Sequence, residues 1–447
     1  MGLERRGRAD QVNSPVNPYG DEPESEPKLK VKSFEIPKRL IYQAWEKVRV
    51  NAGAPGVDKV SIAEFGSDER GNLYKLWNRM SAGSYMPGAV RAVEIPKDHG
   101  AGVRTLGVSN VADRVAQTAA AMLLEERLEP VFHPDSYGYR PGRSAHDALA
   151  TARRRCWKQD WVIDLDIRAF FDSVPWDLMV KAVAHHTNER WVLLYIRRWL
   201  QAPMRMPDGT LREREMGTPQ GSPVSPVLSN LFMHYAFDRW MVREYPGCPF
   251  ERYADDAVIH CDTEEQARRL LADLAERLGS VGLELHPDKT KIVYCKDANR
   301  RNEAVHISFD FLGYTFRARQ AKGKRGFFVN FSPAMSAKAK KAKGQQIRAW
   351  HLKRRSRSDL SNLAEDINPQ VRGWINYYGA FYRSELSFLV RRINEHLVQW
   401  AMHKFKRLKR SPTRAWAWLN AVIQREPQLF AHWGLASPTR SRPVGAG

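Results

Sequence analysis

The residues of this chain whose types and spacing best suit chemistry are Asp255 and Asp256, in FERYADDAVIHC over residues 250–261. Apolar, β-favouring residues flank the pair, so the two acids fall where a hairpin turns. Alone, an Asp-Asp pair is better explained as turn chemistry. A second segment adds weight. Residues 161–166, WVIDLD, read as a short apolar strand ending on a carboxylate, with Asp164 and Asp166 on one face because strand side chains alternate. Asp166 beside Asp255 and Asp256 gives three oxygen ligands of the kind Mg²⁺ prefers, with positions left for substrate phosphates. Two such ions, with Mn²⁺ as a substitute, can activate a 3′-hydroxyl and stabilise a leaving pyrophosphate. The chemistry expected is nucleotidyl transfer.

Helices and strands must position these acids. After Gly221, the residues Val224, Val227, Leu228, Leu231, Phe232 and Tyr235 recur at helical spacing and predict a buried helix. A second helix is expected from Thr263, where Thr263 and Gln266 form a capping-box pattern ahead of Ala267, Leu270, Leu271, Leu274 and Leu278, with Gly279 as its stop. Near the end, Leu386, Leu389, Val390, Ile393, Leu397, Trp400 and Ala401 make another apolar stripe, and Arg391, Arg392, Lys404 and Lys406 occupy its other faces.

At 447 residues, the chain has room for two folded domains or one multi-lobed enzyme. Its formal charge of +21 points to a polyanionic partner. No apolar run approaches the roughly 20 residues of a membrane span, and no secretory signal is visible, so nucleic acid is favoured over a membrane. Cys156, Cys248, Cys261 and Cys295 lie far apart without a C-x-x-C pair and read as ordinary reduced thiols of a cytoplasmic protein. Residues 1–33 have the composition of a mobile tail. From 311 to 358 there is no Asp or Glu, while Lys and Arg accumulate. Such a run is either a solvated stretch or, given the interleaved Phe327, Phe328, Phe331 and Trp350, a nucleic-acid groove.

In order, DIRAFFD, GTPQGSPVSPVLSN, RYADD, GLELHPDKTK and FDFLGYTF resemble the palm of group II intron-type reverse transcriptases. NAGAPGVD, IPKDHGAGVRTLGVSN, YGYRPGRSAHDAL and NPQVRGWINYYGAF resemble that family's finger and thumb regions, so the likeness runs over roughly residues 40–435. The fold implied is α+β: a right-hand polymerase with fingers and palm built of antiparallel sheet plus helices, followed by an α-helical thumb or maturase domain. The divisions expected are a tail over 1–33, fingers with an N-terminal extension over 34–160, palm over 161–320, basic helical thumb/maturase domain over 321–435, and a flexible tail over 436–447. The type implied is bacterial and lacks the C-terminal endonuclease of some relatives.

Carried over residue by residue, the resemblance makes Asp166 and Asp255 ligands of both metals, Asp256 a less direct third acid, and the Ile167 carbonyl a further ligand. Phe171 becomes the ring that excludes a 2′-hydroxyl. Lys97 and Arg104, either side of a Gly-containing turn, would hold the triphosphate, with Gln220 and Lys289 also near the dNTP. Arg140, Gly313, Arg372, Trp374, Asn376 and Tyr377 would contact nucleic acid, as would Lys340, Lys341, Lys353 and Arg354 of the basic run if it forms a groove, although Trp374 fits a helix core equally well. The partners implied are RNA template or intron RNA, DNA primer or target, and dNTPs, for a monomer or homodimer. The activity implied is RNA-directed DNA polymerisation, with intron binding that supports splicing and retrohoming. Alternatives are a reverse transcriptase recruited to phage defence or spacer acquisition, and a non-catalytic RNA-binding splicing factor.

Overall fold

The computed structural model describes residues 32–96, 102–323 and 326–435. The expected tails lie almost wholly outside these residues, as does Lys97. At the centre is a four-stranded antiparallel sheet in the order Phe250–Tyr253, Asp256–Cys261, Trp161–Leu165, Lys291–Tyr294. Ile163 stands opposite both Ile259 and Ile292, and Leu165 opposite Ala257. Strand alternation then sorts the faces. Ile163, Leu165, Ala257 and Ile259 join Leu228, Leu231, Leu270 and Leu274 in the larger core. Val162, Val258 and Val293 meet Ala148, Leu149 and Ala152 of the helix Ala145–Cys156, together with Phe309, Phe311, Phe316 and Phe331. Asp164 lies on this second face, towards its open end.

The helix Glu264–Gly279 covers the first face, and Thr263 Oγ1 accepts from Gln266 N at 3.1 Å as expected. The reciprocal bond differs from the capping-box expectation. Gln266 Oε1 accepts from Asp262 N at 2.8 Å, one residue before the cap. The stripe after Gly221 forms the helix Ser225–Met233, which then widens into a π-turn, His234–Asp238, before Arg239–Glu244. Such insertions change which residues share a face. Here Asp238 is fully buried and takes both Nε and Nη2 of Arg252 at 2.7 Å. Arg252 is itself completely buried, and its Nη1 donates to Asn230 Oδ1 at 3.0 Å and to the Ala254 carbonyl at 2.8 Å.

Ahead of the sheet, the helix Val111–Leu128 packs on Lys38–Asn51, with Ala116, Ala119 and Ala120 fully buried. A hairpin, Val90–Pro96 with Val103–Val108, extends from this helical base. Beyond the central sheet, Ser308–Phe311, Tyr314–Gly323 and Gly326–Met335 form a second antiparallel sheet. The division drawn at residue 320 falls inside this hairpin, and the helical core that follows begins at Met335. Among the described residues, its α-helices are Ala337–Ala349, Leu360–Tyr378, Ser387–Lys404 and Pro412–Arg425. The stripe of Leu389, Ile393, Leu397, Trp400 and Ala401 is buried as its spacing requires. The aromatic set read as a nucleic-acid groove is split. Phe331 is fully buried, Trp350 stacks on Trp374 at 5.5 Å, and Phe327 and Phe328 are exposed. Among the described residues, no helix is long and apolar enough to cross a membrane.

The Arg252 fork generates a stability prediction. Arg252→Met leaves the Asp238 carboxylate buried and unpaired, and is expected to lower unfolding free energy by about 3–5 kcal/mol. Adding Asp238→Leu should recover most of that loss. Thermal or urea unfolding of the three proteins measures it, and a single-variant loss under about 1 kcal/mol would contradict the brace.

Candidate active site

Asp166 lies one residue beyond the strand Trp161–Leu165, and the distant segment 284–290 wraps it. His286 N donates to its carbonyl at 2.8 Å, Arg168 N donates to Glu284 O at 2.8 Å, and Thr290 Oγ1 donates to Asp166 O at 3.2 Å. Lys289, on the same segment, brings Nζ to 3.2 Å from the Asp166 carboxylate. None of these three bonds uses the carbonyl of Ile167, whose side chain is buried in the core.

Asp255 occupies the two-residue tip of the hairpin, with Tyr253 paired to Asp256. Ala254 is left-handed at φ 61°, an unfavourable state for an L-residue that the two-residue turn demands. Two contacts hold it there. Arg252 Nη1 bonds the Ala254 carbonyl, and Gly138 lies so close that a Cβ on it would come within 2.5 Å of Ala254 N. Residues 135–137 run along the strand, with Arg252 N donating to Asp135 O at 2.9 Å and Tyr137 N to Arg252 O at 2.8 Å. Tyr139 follows, with its ring centroid 6.3 Å from that of Tyr253. Arg252, Asp238, Gly138 and Tyr139 are absent from the sequence-based site. Only the glycines of YGYRPGR hint at this close approach, and nothing local marks the Arg252 partnership.

One register step beyond Leu165 and Ala257 sets Asp166 opposite Asp256. Burial and the neighbouring Asp164, Asp255 and Asp166 push Asp256 well above the usual carboxylate range. Burial, with Asp166, also raises Asp255. Asp164 is pushed up to about 7, first by burial and then by Asp310 and Asp166, with Lys291 opposing. Three mutually repelling carboxylates, each an oxygen donor, fit a divalent cation of the hard type. Among the described residues, no three His, Cys, Asp or Glu side chains are already drawn into a closed cage. The acids form an open set at the sheet's end.

The loop GTPQG roofs this end. Gly217, at φ 79°, passes so near the chain that a Cβ would lie 2.6 Å from Phe171 O, and Thr218 N donates to that same carbonyl at 2.7 Å. Phe170 is buried, and Phe171 is half-buried against its edge at 5.3 Å. Gln220 accepts from Gly107 N at 2.7 Å, which ties the roof to the projecting hairpin. That hairpin carries Arg104, exposed and close enough to draw Asp255 down against its other neighbours.

The residues expected at nucleic acid sort differently. Arg140 is a correction. Its guanidinium is buried and bonded to the Glu129 carboxylate and to the carbonyls of His133 and Ser136, so it has no donor to offer a phosphate. Lys340 is half-buried and paired with Glu385, while Lys341, Lys353 and Arg354 are exposed. Arg372 and Asn376 share the outer face of the helix Leu360–Tyr378, whereas Trp374 is core. Tyr377 is half-buried and donates to Leu312 O at 2.8 Å. Gly313, at φ 77°, is exposed but already faces Tyr378, whose hydroxyl would lie 3.3 Å from a Cβ there.

A pH prediction follows from Asp164. A carboxyl raised from 3.8 to about 7 favours the fold fully below pH of about 4, and that contribution is lost as pH rises through 7. In metal-free buffer, wild type should therefore lose stability relative to Asp164→Asn between pH 5 and pH 8, by an amount on the order of a few kcal/mol. Paired thermal melts across that range measure it, and a difference independent of pH would contradict the raised value.

The family model for reverse transcriptase (RNA-dependent DNA polymerase) matches residues 95–316, and that for the group II intron, maturase-specific domain matches residues 340–418. Protein YkfC of Escherichia coli (strain K12) is 30% identical over 308 residues, covering 61% of this chain and 78% of YkfC. Group II intron-encoded protein LtrA of Lactococcus lactis subsp. cremoris is 29% identical over 283 residues, covering 61% of this chain but only 46% of LtrA. A solved telomerase from Candida albicans, in complex with a TWJ fragment of telomeric RNA, aligns over 83% of this chain and 67% of its own at a TM-score of 0.44 and 11% identity. On the family models and the YkfC match, the chain belongs to the reverse transcriptases of the group II intron-encoded type, in which a maturase-specific domain follows the polymerase core.

Proposed function

We propose that this chain is an RNA-directed DNA polymerase that extends a DNA primer along RNA, and that its helical domain binds intron RNA to support splicing and retrohoming. The observation that carries the polymerase reading is the convergence of Asp166, Asp255 and Asp256 at one end of the palm sheet, beneath a loop bonded to the fingers. Asp166 and Asp255 would hold two Mg²⁺ ions, with Asp256 and the Ile167 carbonyl as further ligands. When bound, such ions activate the primer hydroxyl and neutralise the leaving pyrophosphate. The side chains do the rest. Lys289, now on Asp166, is placed to shift onto triphosphate oxygens once a cation takes over that carboxylate. Arg104, with Lys97 seven residues before it in the sequence, would hold the outer phosphates. Phe171, five residues after Asp166 on a backbone held by Thr218, would set its ring against the incoming sugar.

The exposed Lys341, Lys353, Arg354 and Arg372 supply a cationic face suited to RNA phosphates. A purely structural splicing factor is disfavoured by the acids themselves. Nothing in such a scaffold rewards burying Asp255 and Asp256 so close to Asp166 that both are pushed above the usual carboxylate range.

With RNA template, DNA primer, dNTPs and Mg²⁺, wild type should extend the primer, and Asp255→Asn should lower the rate by about 100-fold or more. Equal product from the two proteins would end the polymerase reading. Phe171→Ala should leave dNTP use largely intact while raising the relative use of NTPs roughly tenfold or more, because the steric clash is removed. Unchanged sugar selectivity would take the gate away from Phe171.

A further inference from the structure

The four cysteines, far apart in the chain, are not scattered in the fold. All are buried, and they form two neighbouring pairs on opposite faces of the palm sheet: Cys248 with Cys261 in the larger core, and Cys156 beside Cys295 in the core under the second sheet. The first pair has a defined register. Phe250 stands opposite Ile259, and His260 N donates to Pro249 O at 2.8 Å. One step further out, Cys248 and Cys261 face each other as a non-hydrogen-bonded antiparallel pair, the arrangement that brings opposing side chains closest. Their sulfurs are 4.0 Å apart. A disulfide needs about 2 Å between sulfurs and tolerates the Cα separation of such a pair, so rotation of side chains suffices.

We propose that Cys248 and Cys261 are a modification site, closed to an intramolecular disulfide by an oxidant of the peroxide class. Cys248 sits in a short irregular turn whose neighbours Pro246 and Gly247 are exposed, whereas Cys261 lies at the inner end of a strand. A small oxidant therefore reaches Cys248 first. The Cys261 S–H donates to Cys248 Sγ, which favours the thiolate there, while burial holds the Cys156 thiol protonated. The Cys248 thiolate attacks one peroxide oxygen and breaks the O–O bond. This gives a sulfenic acid, and the departing hydroxide takes up a proton as water. The Cys261 sulfur then attacks the sulfenic sulfur, the S–S bond forms, and the hydroxyl leaves with the Cys261 proton as a second water. Two thiols lose two electrons in all, and the peroxide gains them. The bond would clamp the base of the hairpin whose tip carries Asp255 and Asp256.

The test treats reduced, folded, full-length protein with hydrogen peroxide, alkylates remaining thiols after unfolding, and digests it without reductant. Cleavage after Arg252 separates the two cysteines, so a bond appears as two peptides joined with the loss of two hydrogens. The expected result is that linkage, together with a rise in melting temperature of a few degrees that dithiothreitol reverses and that Cys248→Ser does not show. Mapping in wild type stands even if a serine variant folds poorly. Recovery of Cys248 alkylated or as an unlinked sulfinic acid, linkage of Cys156 to Cys295 in its place, or linkage only in unfolded protein would each overturn the proposal.

Discussion

The buried fork between Arg252 and Asp238 is the interaction on which the catalytic end depends. Arg252 reaches Asp238, Asn230 and the Ala254 carbonyl at once. Asn230 in turn donates to Gly138 O at 2.6 Å. One guanidinium therefore connects the palm helix, the strained turn and the loop that edges the hairpin. A buried ion pair adds little net stability over apolar packing, so its value here is geometric. It holds a left-handed alanine in a turn that repulsion between the acids tends to open. Lysine cannot replace it, because a point charge lacks the planar set of donors that meets three acceptors together.

From this anchored tip, a row of charged pairs runs from the palm sheet to the second sheet, which holds Asp310. Asp310 pairs with Lys338 at 3.6 Å, Asp164 faces Lys291 across the register, and Asp166 holds Lys289. The lysine of each pair comes from a segment later in the chain than the strand bearing Asp164 and Asp166. Asp256 is the exception: all the charged neighbours that shift it are acids. The chain's cationic excess thus reaches the row from its sides and stops short of the point where Asp166 and Asp256 meet. A divalent cation placed there relieves repulsion that the protein's own lysines leave in place.

How much of this was legible in the sequence depends on the range of the physics. The hairpin tip and the strand ending on Asp166 follow from alternation and turn chemistry, which act over a few residues. The stripes at Leu270, Leu274 and Leu278, and at Leu389, Ile393 and Leu397, follow from helical period. Asp238 was invisible because a π-turn, set by packing rather than local preference, rotates it towards Arg252. The cysteine pairs were hidden for a related reason: strand register, not sequence spacing, decides which thiols meet. Arg140 was misplaced because a motif arginine looks the same whether it serves a phosphate or, as here, a neighbouring carboxylate and two carbonyls.

Tyr377 extends that lesson to the joint between palm and thumb. The residues named there as nucleic-acid contacts are largely engaged with protein. His146 Nε2 donates to Tyr377 O at 2.8 Å and stacks on its ring at 5.1 Å, while Tyr377 donates to Leu312 O. Tyr314 donates to the Tyr377 carbonyl and packs against Tyr378 and Phe381. The helix Leu360–Tyr378 thereby meets the strand after Gly313 and the helix Ala145–Cys156 at its last turn. An aromatic cluster of this kind is stiff, because large rings and satisfied polar ends leave few alternative packings. It fixes the orientation of the helix end, and with it the outer face that carries the exposed Arg372 and Asn376. These tyrosines are spent on holding the thumb helix against the palm, which leaves Arg372 and Asn376 as the exposed side chains of its last turns.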